Sequence, residues 1–167
     1  MQKNLFLNLL IPSICMSVLV FSCKPKNSNY AEVMHNPFLY EKTVHEINYV
    51  VIHDIFTPPV ASRVFAYSCL ASYETLAGEG KQIKSLSGKI NGLNRMPLPG
   101  KNEKIDYPFA ALIALTKVGK ALIYSQDRIQ RVTDSIKTLA SNAGMPDDMY
   151  KNSIQYGEQV ADAILAW

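Results

Sequence analysis

From residue 38 onward the apolar side chains recur every three or four positions, and proline and glycine interrupt that period at only a few places. Such spacing lays one face of a helix against a core, whereas a half-buried strand would alternate at every second residue. The expected fold class is therefore all-α, a helical bundle. In residues 38–56, Val44, Ile47, Val51 and Ile55 mark a buried stripe that Tyr49, Ile52 and Phe56 widen. The β-branched run Val50-Val51-Ile52 would suit a strand, but the longer period favours helix. Thr57-Pro58-Pro59 breaks it, because the residue before a proline is pushed out of helical geometry. Proline is tolerated in a first helical turn, so a second helix is expected from these prolines to about Ala77.

Gly78 and Gly80 close that helix, and a turn-rich loop follows as far as Asp106, with Ser87-Gly88, Asn91-Gly92 and Pro97-Leu98-Pro99-Gly100 in close succession. A loop of that length is either functional or laid across another part of the protein. A third helix is expected over residues 107–124. It is apolar on most sides, relieved by Lys117 and Lys120, and too short for a convincing membrane span. A fourth carries Ile129, Val132, Ile136 and Leu139 on one stripe and stops at Asn142-Ala143-Gly144, with Gly144 placed for a left-handed cap. The fifth starts after Pro146, where Asp147 and Asp148 meet the positive end of the helix dipole, and runs to Trp167 without a terminating signal. That missing terminator makes the bundle read as the incomplete N-terminal half of a larger α-helical domain. Residues 107–124 and 147–167 would then expose apolar faces meant for the remainder.

The first residues follow a different logic. One charge at Lys3 precedes an apolar stretch that ends in Val20-Phe21-Ser22-Cys23 and gives way at once to polar residues. This is the pattern of a secretory signal, residues 1–22, with a lipobox-like end in which Cys23 is the lipidation site. An uncleaved anchor is the rival reading, but the run is near the lower limit of the roughly 17 to 25 residues a spanning helix needs. Residues 23–36 are expected to be the lipidated cysteine and its tether, and residues 37–167 the helical domain. The protein would then be exported and held as a lipoprotein on the periplasmic or outer-surface side, its membrane partner being the lipid on Cys23. With Cys15 removed and Cys23 acylated, only Cys69 remains, so no internal disulfide is available and the core must hold the domain. The mature balance of 16 basic against 14 acidic side chains gives no electrostatic footprint for nucleic acid.

Candidate chemistry is sparse. Asp54 and Arg63 flank the proline break and are expected to form a structural pair across the corner; two solvated charges are the plainer alternative. His45 and His53 lie eight residues apart on one helix, too distant along its axis to share a metal directly. Glu46 and Asp54 accompany them, but no third convergent group does, so surface or satisfied core histidines are favoured over ligands. No catalytic, cofactor-binding or metal-ligating residue is assigned within this chain.

One segment is more specific. Pro58-Pro59-Val60-Ala61-Ser62-Arg63-Val64-Phe65-Ala66-Tyr67, continuing to Cys69-Leu70-Ala71-Ser72-Tyr73-Glu74, resembles the N-terminal helical region of vanadium-dependent haloperoxidases, in the superfamily that also holds type 2 phosphatidic acid phosphatases. The small residues of this segment suit a tight helical hairpin in which neighbours approach closely. The resemblance implies a site for vanadate or phosphate built from a lysine and two arginines, with histidines as nucleophile and acid-base partner, because a multiply charged oxyanion needs several fixed cationic donors. Its motifs are Lys-x6-Arg-Pro, Pro-Ser-Gly-His and Ser-Arg-x5-His, and this sequence has none of them. Lys89 and Arg95 are separated by five residues and Arg95 precedes Met96, Ser87-Gly88 is followed by Lys89, and no histidine follows Asp54.

Two functions remain open at this stage. The chain is the N-terminal helical part of an exported lipoprotein resembling haloperoxidases and acid phosphatases. Its partner is then the missing C-terminal half, and vanadate is a cofactor only of the full-length parent. Alternatively, it is a complete, non-catalytic, membrane-tethered helical module for interaction or ligand binding. Oligomerisation is compatible with either.

Overall fold

The computed structural model describes residues 28–167, so the expected signal, Cys23 and the first part of the tether lie outside the described residues. Within them lie α1 (Tyr30–Met34), α2 (Pro37–His53), α3 (Pro58–Ala77), α4 (Tyr107–Ala121), α5 (Gln126–Asn142) and α6 (Asp147–Ala166), with no strand among the described residues. The fold is all-α, as the apolar period requires. Local chemistry sets the helix starts. Asn36 caps α2 by accepting from Phe38 N at 3.0 Å, with Pro37 in the first turn. Asp106 caps α4 in the same way, accepting from Phe109 N at 2.9 Å, and Pro58 and Pro59 open α3. Each cap satisfies a first-turn N–H that has no partner within its helix, and the one at Phe109 is buried.

α4 is the centre. Every residue from 109 to 116 is buried, as are Val118 and Gly119, and each of its faces supplies a different part of the core. Ala110, Ala114 and Val118 meet Ala71 of α3 with Tyr156, Val160 and Ile164 of α6. Phe109, Leu112 and Ile113 meet Met34, Ile136 and Ala140, while Leu115 joins Ile47, Val50 and Val51 of α2 to Val64 of α3. Small side chains allow this crowding. A β-carbon at Gly157 of α6 would come 2.3 Å from the Ala110 carbonyl oxygen, a backbone atom that cannot turn aside.

The structure corrects several expectations. The helix of residues 107–121 does not present an apolar face to solvent; as α4 it is the buried core, and of the expected 107–124 stretch only Tyr124, beyond its end, is a large exposed side chain. The small residues of α3 bring it against α4 rather than into a hairpin with α2. Residues 28–34, expected as part of a tether, are fastened to the bundle: Asn29 N donates to Ala143 O, Ser28 Oγ donates to Gly144 O, and Met34 is buried. The long loop is laid across α3 and α6. Leu93 and Met96 enter the core, Tyr73 donates to Lys84 O, and Trp167 Nε1 donates to Asn91 O at 3.2 Å while its ring stands edge-on against Tyr67. No helix among the described residues is long and apolar enough to cross a membrane.

At an exposed helical site, Gly→Ala gains about 1 kcal/mol of helix propensity. At Gly157 the clash with Ala110 reverses the sign, and Gly157→Ala is expected to destabilise the chain by about 1–3 kcal/mol in urea unfolding.

Candidate functional site

Where α2 stops, one carboxylate organises the corner. Asp54 is the C-terminal cap of α2, its side chain is only 3% exposed, and it accepts hydrogen bonds from Tyr124 N and Ser125 N, each at 2.9 Å. The Ser125 hydroxyl makes a further short bond to it. Asp54 thereby ties the end of α2 to the turn between α4 and α5. Burial alone would raise its pKa, but the donated bonds from Ser125, His53 and Tyr124 outweigh burial and hold the carboxyl well below the usual range. Arg63, exposed on α3, forms no ion pair with it. The expected Asp54–Arg63 pair is therefore not made, because backbone donors on the α4–α5 turn already occupy the carboxylate. Tyr124 and Ser125 carried no sequence signal for this role, since the contact spans 70 residues.

His53 Nδ1 lies 3.1 Å from Asp54 Oδ1 and 3.3 Å from Ser125 Oγ, so a serine, a histidine and an aspartate do converge. The order is wrong for nucleophilic catalysis. A triad places the imidazole between hydroxyl and carboxylate so that one ring nitrogen takes the hydroxyl proton while the other is held. Here the Ser125 hydroxyl donates straight to Asp54, and the same histidine nitrogen faces both partners. The arrangement is a corner clasp. His45 stands apart, 3.8 Å from Glu41 on the exposed side of α2.

Other buried acids serve the frame. Glu74 of α3 accepts from Ser85 Oγ at 2.6 Å and Leu86 N at 2.7 Å, anchoring the start of the long loop. Asp106, besides capping α4, lies 2.9 Å from His35 Nε2, and its backbone N donates to Ser153 Oγ. An aspartate directly before Tyr107-Pro108 is a recognisable cap signal; the glutamate had none. Tyr156 is kept a neutral phenol, its pKa raised first by burial and then by Tyr107 and Glu74 nearby.

The best-formed concavity is a groove of about 400 Å³ between α2 and α5. α5 packs against α4, and α2 touches both α4 and α5. Thr43, Val50, Ile129 and Ile136, all buried, form its floor, and Lys42, Glu46, Arg128 and Arg131 stand around its rim. Three cations near a groove invite an oxyanion, but this floor is apolar and no histidine lines it. Among the described residues no group of three or more His, Cys, Asp or Glu could hold a metal ion. This groove does not fit vanadate.

No family model and no curated protein matches this sequence. Among solved structures, the fold matches the crystal structure of a bacterial vanadium-dependent iodoperoxidase with a TM-score of 0.74 and 38% identity. The chain belongs to the all-helical superfamily of the vanadium-dependent haloperoxidases. The match takes in 78% of this chain and 31% of the iodoperoxidase chain, so this haloperoxidase relative spans about a third of the length of the enzyme it resembles. That coverage includes far more than residues 44–77, to which the specific sequence resemblance extends.

The Asp54 clasp should show in acid. A carboxyl whose folded pKa is depressed contributes stability that is fully present above its ordinary value of 3.8 and is lost as pH falls below it. Asp54→Ala is expected to cost about 1–3 kcal/mol at pH 7. Its deficit should shrink below about pH 4, and equal deficits at pH 7 and pH 3 would rule the clasp out.

Proposed function

We propose that this chain is the N-terminal helical part of an exported lipoprotein enzyme of the vanadium-dependent haloperoxidase class. In this reading it frames, and does not contain, the catalytic site. The carrying observation is the partial match: the chain aligns with 31% of an iodoperoxidase while holding none of the lysine, arginine and histidine motifs of an oxyanion site. The groups for vanadate then belong to polypeptide outside these residues, with that polypeptide as the chain's partner. Iodide is the halide to assay first. Lipid on Cys23 fixes the protein to the exported face of a membrane. The Val20-Phe21-Ser22-Cys23 ending of the apolar leader supports this last element.

Purified, vanadate-loaded chain is expected to oxidise no iodide with hydrogen peroxide. A polypeptide that continues past Trp167 and carries the missing motifs should do so. Turnover by the chain alone that disappears in His45→Ala or His53→Ala would overturn the proposal in favour of a self-contained enzyme. Radiolabelled palmitate should enter the wild type and not Cys23→Ala; equal labelling of the two would remove the lipoprotein element.

A further inference from the structure

The corner between α2 and α3 combines two features that folding alone disfavours. Ile55 has φ = 55°, in the left-handed region where a β-branched residue is strained. Its side chain is also 87% exposed. Around it stand Ile52 at 64% and Tyr124 at 81% exposure, with Tyr124 held in place by Phe56 at a ring distance of 5.0 Å and by its N–H bond to Asp54. The patch runs on into the α2–α5 groove through Tyr49, which is exposed one turn before Ile52 and lines the groove opposite Arg128.

The groove has the dimensions of a helix seat. Its α2 wall runs from Leu39 to Val50 and its α5 wall from Arg128 to Leu139, each roughly three turns. The floor is apolar, while the side chains of Lys42, Arg128 and Arg131 have no ion pair or hydrogen bond among the described residues and face a single rim acid, Glu46. An apolar trough with unpaired cations along its edges matches a helix with an apolar stripe flanked by acidic side chains.

We infer that the α2–α5 groove and the Ile52, Ile55 and Tyr124 corner form one docking surface for an acidic amphipathic helix. The inference rests on the proposed function only for the source of that helix, which would be the part of a full-length enzyme outside the matched third. The surface itself is a property of this chain.

The test uses the whole chain and a fluorescein-labelled peptide of about sixteen residues, roughly four turns, with leucine at every third or fourth position and glutamate on both flanks. Fluorescence anisotropy should show saturable binding, weakened by about tenfold or more when lysine replaces every glutamate. Amide shifts should map to Leu39, Tyr49, Val132 and Leu139 and to the corner. Arg128→Glu with Arg131→Glu should weaken binding by about tenfold. Ile55→Gly should also weaken it while leaving the thermal midpoint unchanged or higher, an outcome that a purely structural role for Ile55 would not give. No binding, equal binding of the lysine peptide, shifts elsewhere, or dimerisation of the chain through this face would each overturn the inference. A chain that binds the peptide yet belongs to a protein without haloperoxidase activity would leave the surface standing and remove only the source assigned to the helix.

Discussion

The burial of α4 on all sides is the constraint from which the rest of the structure follows. A helix with a run of eight buried residues has no face to give to water, so neighbours must surround it, and α2, α3, α5 and α6 do. At about 1.5–3 kcal/mol for each large apolar side chain removed from water, Phe109, Leu112, Ile113, Leu115 and Val118 form a hub that the peripheral helices share. The crowding selects small residues at the closest approaches: Ala110 against Gly157, and Gly119 beside Ser68 and Ile47. Charge is confined to the two lysines of α4, whose ammonium groups reach out to Asp162 and Gln130.

Much of this was legible in the sequence because helical period and punctuation are local signals. Pro58 and Pro59 open α3 where the sequence places it, Gly144 takes a left-handed φ of 85°, and α6 begins at Asp147. What was not legible depends on long-range contacts. The periodic stripe through Ile55 and Phe56 predicts a longer α2, but Asp54 finds its donors in the α4–α5 turn and the helix stops at His53. The apolar character of residues 107–124 signals burial without saying by what; the answer is the helices already present. Residues 28–36 look like a polar tether because Met34, their one deeply buried side chain, has too little company to make a pattern.

The candidate site was less legible than the fold, and for a physical reason. Asp54 was singled out as a structural charge, but its partner was sought in the nearest cation, Arg63. Buried carboxylates are more often satisfied by backbone N–H groups and hydroxyls, which sequence patterns do not reveal. The residues at the corner therefore act as a joint that fixes α2 to α5. Beside that joint, α2 and α5 line the groove.

If α4 is the hub, its opening requires the whole bundle to open. Native-state amide hydrogen exchange reads this directly, because local openings span from about zero up to the global free energy. The amides of Ala111 to Val118 should be the slowest in the chain, and their exchange free energy should equal the unfolding free energy measured in denaturant. Amides of α4 that exchange faster than those of α3 or α6, or with a free energy well below the global value, would contradict the account.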